Sequence, residues 1–161
     1  MTTVRPYRAS DAAALAALYV RSVTEIGSRL YSPEQVAVWA AHGPSPERIH
    51  ALYTDGRTAL VAVDESDGPV AFSDVEGDGH IQFLYCAPEA AGRGIAAALY
   101  DTLEKEARAR GLTRLYAEAS EAARPFFLKK GFAVTTIRRF EVSGVPIHNY
   151  AMEKLLVGRP Q

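Results

Sequence analysis

The sequence predicts an α/β fold in three layers, with helices on both faces of a mixed, mostly antiparallel sheet. Three observations carry this expectation. The first fifty residues are mainly of helical spacing with helix-cap chemistry. Residues 58–86 switch to strand period broken by short turns. The remainder alternates helix, strand and helix before closing in a hairpin.

Val4 to Tyr7 reads as a short strand. Ser10-Asp11 then caps a helix whose Leu15, Leu18, Tyr19 and Val23 share one stripe. A second helix starts at Ser32-Pro33. The serine accepts a free backbone N–H, the proline lacks a donor where none is needed, and Gln35 completes a capping box that leads to Val36 and Trp39. Ser45-Pro46-Glu47 repeats this chemistry before Ile49 and Leu52. Strands follow at Thr58–Val63, Val70–Val75 and Ile81–Cys86, separated by Asp67-Gly68 and Gly77-Asp78-Gly79. A helix from Ile95 to Arg110 carries Leu99 and Leu103 on one face and stops at Gly111. Leu112–Ala119 is the next strand. A short helix from about Ala122 has Pro125 in its first turn and Lys129-Lys130-Gly131 at its end. Phe132–Val142 and Val145–Met152 pair across Ser143-Gly144.

At 161 residues, 48% of them hydrophobic, the chain suits one domain, expected over 1–156 with a frayed tail at 157–161. A formal charge of -1 supplies no strong positive field, so no nucleic-acid partner is expected. The apolar run Ala12–Val20 is too short for a bilayer and is bounded by Asp11 and Arg21, so no membrane span is expected. A single cysteine, Cys86, and an N-terminus without an export signal point to the cytoplasm. No metal site is expected.

The informative stretch is Leu84-Tyr85-Cys86-Ala87-Pro88-Glu89-Ala90-Ala91-Gly92-Arg93-Gly94-Ile95-Ala96. It runs from a strand through a loop into the long helix. Gly92 and Gly94 allow a tight turn and close backbone approach, while unpaired N–H groups and the helix dipole suit a pyrophosphate. The same glycines would also serve a turn that binds nothing. No Gly-Lys-Ser/Thr follows, and Ala97 stands where a dinucleotide fingerprint needs glycine, so neither ATP nor NAD is favoured.

Cys86-Ala87-Pro88 and Ala91-Gly92-Arg93-Gly94-Ile95-Ala96 resemble the central signature of the GNAT acetyltransferases: an apolar strand ending in V-x-P, then Q/R-x-x-G-x-G/A into a helix. The opening VRPYRASDAAALAALY, the late ARPFFLKKGF and the final YAMEKLL extend the resemblance over nearly the whole chain. It implies a GNAT-like, locally splayed sheet and transfer of an acetyl group from acetyl-CoA to a primary amine of a small molecule or protein. It also implies pantetheine alongside Leu84, Tyr85 and Cys86, and pyrophosphate over Ala91 to Ala96. A homodimer is compatible with it. Two positions depart from the pattern: Ala91 replaces the usual Gln or Arg, and Phe127 stands where many members have a tyrosine that protonates the departing sulfur. A non-catalytic acyl-CoA-binding sensor is the alternative that Phe127 keeps open.

Direct transfer needs a base, because the acceptor arrives protonated. In strand alternation His80, Gln82, Leu84 and Cys86 share a face, and the resemblance puts a base or its water chain at His80 and Gln82. His80 is the first choice, with Glu76 and Asp74 on the preceding strand as further candidates for base or amine recognition. Tyr85, Tyr116 and Tyr150 are candidate replacements for the missing acid, or packing residues. His148 and Glu118 are equally ambiguous polar steps in strands. Arg29, Tyr31 and Trp39 fall where the family builds one wall of the acceptor cleft, although Trp39 also suits the core.

Overall fold

The structure, a computed structural model, describes residues 2–156; the expectation for 157–161 lies outside the described residues. The elements in chain order are β1 (Thr3–Pro6), α1 (Ala12–Glu25), α2 (Pro33–Ala41), α3 (Pro46–Tyr53), β2 (Thr58–Val63), β3 (Pro69–Val75), β4 (Leu84–Cys86), α4 (Ile95–Ala109), β5 (Arg114–Ala119), α5 (Arg124–Lys129), β6 (Ala133–Val142) and β7 (Val145–Leu155). Among the described residues no helix is long and apolar enough to cross a membrane.

The strands form two antiparallel groups, ordered β1-β2-β3-β4 and β5-β7-β6. Among the described residues they are joined by one parallel bridge, between His80 and Tyr116, where Ile81 N donates to Tyr116 O and Tyr116 N to Gly79 O. Beyond that point β4 and β5 part, and the opening between them is the expected splay.

Strand alternation distributes the core to both sides. Leu60, Ala62, Ala71, Leu115, Ala117 and Met152 pack beneath Leu99, Tyr100 and Leu103 of α4. On the other face Val61, Val63 and Phe72 meet Leu15, Leu18, Tyr19 and Val23 of α1 and Ile49 of α3. Two of the three predicted caps form: Ser32 Oγ accepts from Gln35 N while Gln35 Oε1 accepts from Ser32 N, and Ser45 Oγ accepts from Arg48 N. Ser10-Asp11 does not cap α1, because the Asp11 carboxylate is taken by the Arg5 guanidinium and the Arg8 amide.

The strand expected at Ile81–Cys86 is shortened to Leu84–Cys86 by one buried carboxylate. Asp74 Oδ1 accepts the amide of Gln82 at 3.0 Å, and Oδ2 accepts the amide of Phe83 at 3.1 Å and the hydroxyl of Tyr53 at 2.7 Å. Both amides are therefore turned away from a ladder, and strict alternation from His80 to Cys86 is lost. Asp74 has no solvent exposure. Its environment is costly to a charge, and desolvation lifts its pKa to about 6 despite those donors.

Candidate active site

Two cavities occupy the splay. The larger, about 560 Å³, follows β4 to the start of α4. The smaller, about 190 Å³, lies toward β5, β7 and the β6–β7 hairpin. Leu84, Tyr85, Ser120, Ala123 and Trp39 line both, so the cavities meet where the strands separate.

The larger cavity is edged by backbone donors and lysines that could serve a phosphate-bearing ligand. Gly92 and Gly94 both have φ of +77°, and a Cβ built on either meets no atom within 4 Å. Glycine is thus demanded by the backbone turn, and the space above it is left for a ligand. Among the described residues none of the amides from Gly92 to Ala97 has a protein acceptor; Ala98 is the first to find one, on Gly94 O. These donors converge at the positive end of a 15-residue helix, with Lys129 and Lys130 also on the cavity wall. Leu84, Tyr85, Cys86, Ala91, Gly92, Gly94 and Ala96, the residues expected from the sequence to meet the cofactor, line this cavity. Arg93 and Ile95 do not: Arg93 is exposed, and Ile95 packs against the core. Burial pushes the Cys86 thiol up to about 11, which keeps it protonated and unsuited to nucleophilic attack.

The neighbouring phenylalanines divide between the cavities. Phe126 lines the larger one, whereas Phe127 lines the smaller, 2% exposed and packed edge-on against Phe126 and Phe132. Sequence spacing had singled out Phe127 alone. It also missed Ser22, Val23, Ile26 and Gly27, which bring the end of α1 to the larger cavity; their apolar periodicity signals only helix packing.

The smaller cavity is walled by Tyr31, Trp39, Tyr85, Phe127 and Phe140, with His42, Gln82, Glu118 and His148 as titratable or polar groups. Among its lining residues there is no lysine or arginine. Gln82 is held by Arg57, whose Nη1 donates to Oε1 at 2.7 Å. Tyr31 joins three segments, since its hydroxyl donates to His148 O and accepts from Glu121 N. Trp39 packs against Tyr31 at 5.3 Å and so is both core and wall.

His80 and Glu76 line neither cavity. His80 Nδ1 lies 2.5 Å from Glu76 Oε2, and Nε2 lies 2.7 Å from Glu118 Oε1. Glu118 chiefly, with Glu76, raises His80 from 6.5 to about 9 against the opposing effect of burial. The ring is an imidazolium at neutral pH and has no lone pair to offer. Its charge in turn lowers the Glu118 pKa, leaving a carboxylate on the cavity wall.

Of the strand tyrosines, Tyr116 donates to Asp78 and Tyr150 to Glu121, and neither lines a cavity. Tyr85 lines both, and burial raises its pKa well above 10, so it holds its proton.

A family model described as an acetyltransferase (GNAT) domain matches residues 28–154. The chain is 31% identical over 150 residues to an uncharacterized N-acetyltransferase, YafP, of Escherichia coli K12, covering 92% of this chain and 93% of that protein. A crystal structure from Rhodopseudomonas palustris, described as a GCN5-related N-acetyltransferase and aminotransferase class-II, superposes with a TM-score of 0.87 at 34% identity over 97% of this chain and 96% of its own. The PaiA N-acetyltransferase of Thermoplasma acidophilum, solved with coenzyme A, shares the fold at a TM-score of 0.77 and 19% identity, over 96% of this chain and 99% of that one.

Proposed function

The chain belongs to the GNAT acetyltransferase family, and on that footing we propose that it moves an acetyl group from acetyl-CoA directly to a compact primary amine carried on an apolar body. The observation that carries this proposal is the meeting of two unlike cavities at Leu84, Tyr85, Ser120 and Ala123. One offers a row of free amides to a pyrophosphate, and the other offers aromatic walls and a carboxylate to an ammonium.

Backbone amides of Gly92 to Ala97 would hold the pyrophosphate without the side chain that Ala91 lacks. Acetyl-CoA would supply the activated acetyl group. The amine would approach from the smaller cavity, drawn by Glu118 and shaped by Tyr31, Trp39 and Phe140. An acceptor with its own carboxylate would find no cation there and would be disfavoured. With the Cys86 thiol protonated, the amine attacks the thioester itself. Tyr85 replaces the absent tyrosine at Phe127 as the buried hydroxyl near the leaving sulfur. Thermal stabilisation by coenzyme A, followed by thiol release with a panel of amines, tests both halves of the proposal.

A further inference from the structure

We propose that His148 takes the proton from the acceptor amine, and that Glu121 is the residue that positions it. The proposal rests on acetyl transfer to an amine in the smaller cavity. His148 lines that cavity, and its backbone carbonyl is fixed by the Tyr31 hydroxyl at 3.2 Å. Its Nε2 lies 2.5 Å from Glu121 Oε2, while Glu121 itself is outside the lining. Nε2–H therefore donates to the carboxylate, and Nδ1, which has no partner among the described residues, is left as an acceptor.

The surroundings explain why this histidine differs from His80. Glu121 also accepts from the Tyr150 hydroxyl at 2.6 Å and from Arg124 Nη2 at 3.1 Å, so its charge is shared. Tyr31 faces the ring at 5.9 Å, and Arg139 is its cross-strand partner in β6. The ring meets one carboxylate, already neutralised by an arginine, whereas His80 is clamped between two. His42 is the other histidine on the cavity wall; it is exposed and has Nδ1 on the Val38 carbonyl at 2.7 Å.

The step balances. Nδ1 removes one proton from the ammonium, and the neutral amine forms a C–N bond at the thioester carbonyl. The C–S bond breaks, the Tyr85 hydroxyl protonates the departing thiolate and regains a proton from the nitrogen, and His148 returns its proton to solvent. The products are the amide, the free thiol and one proton.

Two acceptors test this: 2-phenylethylamine and its 2,2-difluoro analogue, whose ammonium is far more acidic. His148→Gln keeps a donor for Glu121 and loses the base. At neutral pH it is expected to lower kcat about 100-fold with the first amine and only a few-fold with the second, which needs little help to deprotonate. Coenzyme A should raise the Tm of the variant as in the parent, which verifies the fold. Glu121→Gln is expected to give a smaller loss with the same dependence on the amine, partly restored in Glu121→Asp. An equal deficit with both amines, or the amine-dependent pattern in His42→Gln instead, overturns the assignment. If His148→Gln does not fold, the pH profile of the parent decides. With this base, kcat/KM for 2-phenylethylamine levels off well below the pKa of the free ammonium; without it, kcat/KM climbs about tenfold per pH unit up to that pKa. A parent that binds coenzyme A but acetylates neither these nor any other amine overturns the acetyl-transfer proposal, and the role of His148 falls with it.

Discussion

His80 Nε2 lies 2.7 Å from Glu118 Oε1, and this one contact ties the base of the splay to the wall of the smaller cavity. With Glu76 on its other nitrogen, His80 is an internal cation that holds β5 beside the end of β3. Its part is to fix Glu118, and through it the electrostatics of the cavity.

A pH dependence follows. The folded pKa of His80 is raised to about 9 from an unfolded value of 6.5, so the fold binds the proton more tightly than the unfolded chain does. The stabilisation is complete below 6.5 and is lost as pH rises through 9. Chemical denaturation across that window should show the parent losing about 1–3 kcal/mol, while His80→Gln shows a flatter profile and retains turnover within about fivefold. A loss of turnover near 100-fold that depends on the basicity of the amine would return His80 to the role of base.

Asp74 is predicted to matter more to shape than to chemistry. Removing its carboxylate in Asp74→Ala strands the amides of Gln82 and Phe83 and the hydroxyl of Tyr53, a cost of about 3–5 kcal/mol. Tyr53→Phe removes one donor and should cost about 1 kcal/mol. Equal effects of the two substitutions on unfolding free energy would show that the two backbone contacts carry little.

Much of this was legible in the sequence where the physics is local. The Ser32 and Ser45 caps, the Ser143-Gly144 turn and the paired glycines at 92 and 94 each declare a backbone conformation within a few residues. The surroundings of the smaller cavity were less legible because the partners there are far apart in the chain. Glu121 and His148 are 27 residues apart, and His80 and Glu118 are 38 apart, so their pairing emerges only from strand register. Period-2 reasoning also failed at His80, whose ring is drawn between Glu76 and Glu118 and lines neither cavity. At Phe126 and Phe127 a one-residue difference decides which cavity is lined, and helix spacing alone does not resolve it.

The proposed phosphate cradle gives a third prediction. Gly94→Glu introduces a carboxylate into the open space above the turn and should abolish the rise in Tm caused by coenzyme A. Gly94→Ala shares the strain of φ +77°, roughly 1 kcal/mol, without the charge, and should retain part of the shift. An undiminished shift in a folded Gly94→Glu protein would move the pyrophosphate elsewhere.

The proposed leaving-group acid gives a fourth. Tyr85→Phe should lower kcat about tenfold or more at neutral pH, whereas Tyr116→Phe, whose hydroxyl is engaged by Asp78, should leave it nearly unchanged. Phe127→Tyr should then restore part of the rate lost in Tyr85→Phe, because it places a hydroxyl on the wall of the smaller cavity. A parent-like rate in Tyr85→Phe would exclude that hydroxyl from a kinetically important protonation.

Turnover of acetyl-CoA with a panel of compact primary amines tests the central claim most directly, with thiol release and the mass of the product followed together. The account predicts one N-acetylated amine per thiol released, no acetylated enzyme, and amines on apolar bodies at least about tenfold better in kcat/KM than analogues bearing a carboxylate. Stabilisation by coenzyme A without an N-acetyl product from any amine would contradict it and leave a protein that senses acyl-CoA without transferring its acyl group.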